Sequence, residues 1–111
     1  ELLGENLSAL RRRQPGARFS LSTTIRLGKQ MLGAIEGVHK LGYVHRDIKP
    51  SNFAMGYDSK RRNCFIFDFG IAKRYLNEQG EVIPARETAQ FRGTSAYASA
   101  NAHASKDLGR R

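Results

Sequence analysis

The chain has 111 residues, 40% hydrophobic and 26% charged, an ordinary balance for a globular fold, and no apolar run is long enough for a membrane-spanning helix. Its formal charge of +9 invites a nucleic-acid partner, but the basic residues fall in scattered groups (Arg11 to Arg13, Lys60 to Arg62, Lys73-Arg74, Arg110-Arg111) with no interleaved aromatics to stack bases, so none is expected. A single cysteine, Cys64, cannot close an internal disulfide, which fits a reducing cytoplasmic or nuclear setting and argues against glycosylation at Asn6-Leu7-Ser8. Taken in chain order, Leu7 and Leu10 predict a short amphipathic helix over Asn6 to Arg13, ended by Pro15-Gly16 and with Arg11 to Arg13 at its negative pole. From Ser20 to Lys40, Ile25, Met31, Leu32, Ile35 and Val38 recur at roughly helical spacing, so a core-facing helix is expected, capped by Ser20 or Ser22 and stopped by Gly42. Two short strands follow, Phe53 to Met55 and Cys64 to Phe67, joined by the turn-forming GYDSKRRN. The stretch from Gly70 to Gly93 reads as irregular, and no internal repeat or domain boundary is visible.

Between the long helix and the first strand lies HRDIKPSN, His45 to Asn52, and sixteen residues after Asn52 stands Asp68-Phe69-Gly70. The first motif resembles the catalytic loop of protein kinases in its serine/threonine form. At roughly 5% per specified position, a six-position match at a given start arises by chance on the order of once in tens of millions. DFG at this distance, after a strand, turn and strand, makes the pair specific where DFG alone is weak. The residue types suit phosphoryl transfer, in which the protein chiefly positions groups and stabilises charge. Asp47 is the candidate to orient the substrate hydroxyl and take its proton, and Lys49 to bring an ammonium to the transferring phosphate. Asn52 and Asp68 supply the hard oxygen donors that Mg2+ prefers, while Phe69 is expected to anchor the loop in the core. A hydrolase triad is disfavoured because no GxSxG turn is present, and His39, His45 and His103 lack zinc spacing with Cys64. His45 reads as a packing residue of the loop.

The stretches ELLGENL, FSLSTTIRLGKQML, DFGIAKRY, FRGT and YASANAH, with the two motifs, resemble the casein kinase 1 superfamily and, within it, the tau-tubulin kinase branch. Ser99-Ala100-Asn101 stands where most kinases carry APE. The resemblance covers almost the whole chain. It implies an α+β, partial protein-kinase-like fold over 1–111, running from the hinge through the activation segment of the mainly helical C-lobe. It implies ATP and Mg2+ as cofactors, and protein substrates of acidic or cytoskeletal character. By the same resemblance Glu1 and Leu3 offer hinge backbone groups to adenine, Ala54 forms part of the floor beneath the ring, and Thr94 sits beside Asp47 and Lys49.

The departures carry expectations of their own. No Gly-rich loop, VAIK-type lysine or partner glutamate precedes Glu1, so the chain reads as part of a longer kinase domain with the N-lobe and distal C-lobe absent. Ala96 stands where the family usually carries an arginine beside an anion site, which implies a weakened preference for already phosphorylated substrates. The family's activation segment is ordered without phosphate. Thr88 is a candidate switch residue only if Arg86 and Arg92 converge on it, which the sequence leaves open. The alternative to an active enzyme is a catalytically silent kinase-like binding module or an inactive truncated product, and residues 1–111 in isolation are expected to be inactive. The sequence fixes neither the oligomeric state nor the physiological substrate.

Overall fold

A computed structural model describes residues 2–110. Its strands and helices run β1 (Leu3–Asn6), α1 (Leu7–Arg12), α2 (Leu21–Lys40), β2 (Tyr43–Val44), β3 (Phe53–Gly56), β4 (Cys64–Ile66), β5 (Lys73–Arg74) and α3 (Ala100–His103). The mixed content agrees with the α+β expectation. The chain forms two compact units, one from the N-terminal residues through Glu36 together with Pro50–Asp68, the other from Gly37–Lys49 together with the residues from Phe69 onward.

In the first unit, β1, β3 and β4 make an antiparallel sheet in that order, with Ala54 opposite both Asn6 and Phe65. The two predicted strands are β3 and β4. They form a hairpin because the polar turn between them closes on itself, Gly56 N–H donating to Asn63 O at 2.8 Å. Phe53 and Ala54 are buried, as is Leu7 at the start of α1, and these apolar groups form the unit's core. Burying a side chain as large as Phe53 stabilises by about 2–3 kcal/mol. Helix α1 starts where expected because the Asn6 side chain accepts the Ala9 N–H at 2.9 Å, a cap worth about 1 kcal/mol.

Helix α2 begins after Ser20, whose hydroxyl oxygen accepts the Thr23 N–H at 3.2 Å. Its side chain Gln30 reaches the sheet, with Oε1 accepting the Cys64 N–H at 2.7 Å and Nε2 donating to Arg62 O at 3.1 Å. The expected core stripe is only partly realised. Val38 is buried and Met31 and Ile35 are half-buried, but Ile25 and Leu32 are exposed, as is Leu21 one turn before Ile25. The helical period was read correctly, but the described residues leave this face uncovered.

In the second unit, Gly42 ends α2 with a φ of 82°, a conformation that suits glycine. Strands β2 and β5 pair antiparallel, Tyr43 with Arg74 and Val44 with Lys73. Tyr75 continues this link, its N–H donating to Gly42 O at 2.8 Å and its hydroxyl to His39 O at 2.7 Å. A further bridge joins Leu76 to Val82. The stretch after Gly70 is thus not wholly irregular, a correction to the sequence reading. Helix α3 is capped by Ser99, whose hydroxyl oxygen accepts the Ala102 N–H at 3.3 Å.

Candidate active site

Three predicted residues meet in the second unit. Thr94 Oγ1 donates to Asp47 Oδ1 at 2.7 Å and accepts from Lys49 Nζ at 2.8 Å, while Lys49 Nζ lies 2.7 Å from Asp47 Oδ2. The three side chains close a triangle. Asp47 and Lys49 are two residues apart, but Thr94 arrives from far along the chain, and a glycine makes its approach possible. At Gly93, with φ 104°, an added Cβ would stand 2.8 Å from Arg46 O. No larger residue fits there without displacing backbone.

The loop that carries Asp47 is built from its own neighbours. His45 is 2% exposed, and its Nδ1 accepts the Asp47 N–H at 3.3 Å. A buried imidazole thus orients the backbone directly before the acidic side chain. Arg46 between them has φ 71°, a left-handed conformation costing an ordinary residue roughly 1–2 kcal/mol. It is held there by the Arg46 Nε bond to Ile71 O at 2.5 Å. Phe69 lies edge-on to His45, ring centres 5.1 Å apart, but is 49% exposed. The expected core anchor is therefore a half-exposed ring packed on the loop histidine, because its surroundings in this unit cover one edge only.

The first unit holds the candidate metal ligands and part of the expected adenine site. Asn52, 4% exposed, immediately precedes β3, and Asp68 follows β4 by two residues. The hairpin register pairs Phe53 with Ile66 and continues as Phe67 N–H donating to Asn52 O at 3.1 Å. That step brings Asn52 and Asp68 to the same open end of the hairpin. Asp68 also adopts a left-handed φ of 64° at this end. An amide oxygen and a carboxylate are both hard oxygen donors of the kind Mg2+ prefers. Ala54 is buried in the centre of the sheet, and Leu3 starts β1, opposite Gly56. Glu1 lies outside the described residues. Among the described residues no group of three or more His, Cys, Asp or Glu side chains is placed to hold a metal ion.

Two features escaped the sequence reading. Strands β1, β2 and β5 are two to four residues long and carry little periodicity. Asp107 was not singled out, yet its carboxylate is 4% exposed and bonded to Lys73 at 2.5 Å. The Lys73 hydrogen bond chiefly, helped by Arg86, holds the Asp107 carboxyl well below the usual carboxylate range.

Comparison with known proteins gives the family. A probable serine/threonine-protein kinase of Dictyostelium discoideum is 58% identical over 112 aligned residues, covering all of this chain and 23% of the relative. The serine/threonine-protein kinase spe-6 of Caenorhabditis elegans is 36% identical over 96% of the chain and 28% of the relative. A Caenorhabditis elegans protein provisionally named a casein kinase I is 39% identical over 93% of the chain and 30% of the relative. The chain thus spans less than a third of the length of each of these relatives. The family model for the protein kinase domain matches residues 3–110, and the chain belongs to that family.

Proposed function

We propose that this chain supplies the phosphoryl-transfer loop of a protein serine/threonine kinase that uses ATP and Mg2+, of casein kinase 1 type and closest in character to the tau-tubulin kinase branch. The observation that carries the reading is the Asp47, Lys49 and Thr94 triangle. It joins a carboxylate base to an ammonium and a hydroxyl, the groups an in-line transfer requires in one place. In this reading Asp47 accepts the hydrogen bond of the substrate hydroxyl and receives its proton as the oxygen bonds to the γ-phosphorus and ADP departs. Lys49 neutralises charge on the transferring group, and Thr94 fixes the carboxylate's rotamer and borders the acceptor site. Asn52 and Asp68 hold Mg2+, which when bound offsets charge on the nucleotide's phosphates. Leu3 offers a hinge backbone group to the adenine edge and Ala54 part of the floor beneath its plane.

The substrates are proteins with acidic or cytoskeletal character, met in the cytoplasm or nucleus. The chain's net charge of +9 favours acidic partners. Ala96 lies exposed in the turn Ser95–Tyr97, so the anion-binding arginine expected at that place is missing and phosphate-primed substrates gain little. A peptide pair differing by one upstream phosphoserine tests this. The natural enzyme is expected to treat the two alike and Ala96→Arg to favour the phosphorylated one; a strong natural preference that arginine does not increase would refute it.

The central test uses the kinase at its full natural length. Asp68→Ala is expected to abolish metal-dependent nucleotide binding and turnover together. Asp47→Asn is expected to leave nucleotide binding nearly intact while lowering kcat by roughly a hundredfold or more. Wild-type turnover in Asp47→Asn would refute the role given to Asp47, and absence of any turnover in the natural full-length protein would move it to the silent-module class.

A further inference from the structure

The closed end of the hairpin in the first unit is a basic turn that the transfer chemistry does not use. Tyr57 to Arg62 reads YDSKRR, one acid against three bases. Its main chain is closely tied. Lys60 N–H donates to Tyr57 O and Arg61 N–H to Asp58 O, both at 3.1 Å, while Asn63 N–H donates to Lys60 O and Gly56 N–H to Asn63 O, both at 2.8 Å. Lys60 O lies so close to Gly56 that an added Cβ there would collide with it. From α2, Gln30 holds the far side by donating to Arg62 O at 3.1 Å. A turn tied by its own backbone in this way projects its side chains from fixed points, so little further ordering is needed when a partner binds.

Asp58, Ser59, Arg61 and Arg62 line one surface depression of about 420 Å³. All four are exposed, and among the described residues neither Arg61 nor Arg62 has a carboxylate partner, unlike Arg13 with Glu5 and Arg86 with Asp107. Two guanidinium forks beside a hydroxyl form a receptor for oxyanions, and carboxylates match such forks in pairs. Asp58 limits the negative charge that the place accepts, which favours singly charged carboxylates over a phosphate dianion. A nucleic acid is the poorer match. The cluster is confined to one turn rather than drawn out along a groove, and within residues 57–62 a single exposed ring, Tyr57, is offered to stack a base.

We propose that this turn, through Arg61 and Arg62, is a docking site for an acidic segment of protein substrates, a run of Asp or Glu separate from the serine or threonine that is phosphorylated. The proposal rests on the kinase reading and deepens it by giving acidic substrates a second point of attachment. The place is distinct from the metal-ligand end of the same hairpin. Asn52 and Asp68 stand at its open end and residues 58–62 at its closed end, separated by the four residues of β3, roughly 13 Å of extended chain. A segment held at the turn raises the effective concentration of the rest of the substrate and so lowers KM, while leaving the transfer step alone.

The test compares the full-length kinase with its double variant Arg61→Glu, Arg62→Glu on two substrates. One is a short acceptor peptide, and the other joins the same acceptor to a run of glutamates by a flexible linker of about ten residues. The wild type is expected to show a KM about three- to tenfold lower for the longer substrate with kcat unchanged, and the double variant to lose that advantage while handling the short peptide as the wild type does. A labelled peptide of glutamates alone is expected to bind the wild type more tightly than the variant by a similar factor, which shrinks at high salt. Equal KM values for the two substrates in the wild type overturn the proposal, as does an advantage that the double variant keeps. Slower turnover of the short peptide by the variant overturns it too, because the pair would then act on the fold or the transfer site. A single-stranded oligonucleotide that displaces the labelled peptide at a lower concentration of negative charge than the unlabelled peptide needs would assign the turn to nucleic acid instead. Binding of the labelled peptide through Arg61 and Arg62 in a protein that transfers no phosphate would count against the kinase reading and leave the acidic-segment site standing.

Discussion

Thr94 commits its hydroxyl proton to Asp47 and one of its two lone pairs to Lys49, so removing that one group takes a hydrogen bond from each of them. Thr94→Val keeps the shape and loses the hydrogen bonds. Its kcat is expected to fall about ten- to a hundredfold with nucleotide affinity unchanged, while Thr94→Ser retains most activity, as steady-state kinetics and nucleotide titration would show. Gly93 permits the same geometry by having no side chain. Gly93→Ala introduces both a clash with Arg46 O and an unfavourable φ, and is expected to cost roughly 1–3 kcal/mol of stability, measured by denaturant unfolding of the full-length protein. At this scale the sequence was informative where a motif fixes several residue types at once. Asp107 stands in no such motif, and its importance comes only from the cations that the fold brings to it.

Elements were legible to the extent that their own residues decide them. The period of α2 and its Ser20 cap are local facts, and the hairpin of β3 and β4 follows from apolar runs around a polar turn. By contrast β1, β2 and β5 are extended because of partners distant in sequence, Leu3 opposite Gly56 and Tyr43 opposite Arg74, a dependence that no window of neighbouring residues reveals. Burial along α2 was legible in phase but not in extent, since the spacing of Ile25 and Leu32 says which way they point and not what covers them. For residues 1–111 made alone, the uncovered row Leu21, Ile25 and Leu32 is expected to bind an apolar dye and promote association. Light scattering should fall when Ile25 and Leu32 are changed to Gln, and scattering that persists unchanged would locate the cause elsewhere.

Across the whole molecule, acid sensitivity is expected to follow Asp107. Its carboxyl, faced by Lys73 of β5, by Arg86 and, more distantly, by Arg46, is held below its ordinary value near 3.9, so the ionised form binds more tightly to the folded than to the unfolded chain. The stabilisation is complete above that ordinary value and is lost as pH falls towards the depressed one. Unfolding followed from pH 6 to pH 2 should therefore show a loss of stability below about pH 4 that Asp107→Asn lacks. Gln30 bears on the molecule in another way. Strand β4 is an outer strand of its sheet, and the Gln30 amide accepts from Cys64 at its start and donates to Arg62 just before it, one acceptor and one donor, as the peptide group of an adjoining strand would. A single side chain thereby fills one hydrogen-bonding position of that border, a position an incoming strand would otherwise use. Because it reads only main-chain atoms, this contact places no demand on the side chains of Arg62 and Cys64, whereas an acid at position 30 would lose the donor and a hydrocarbon both bonds.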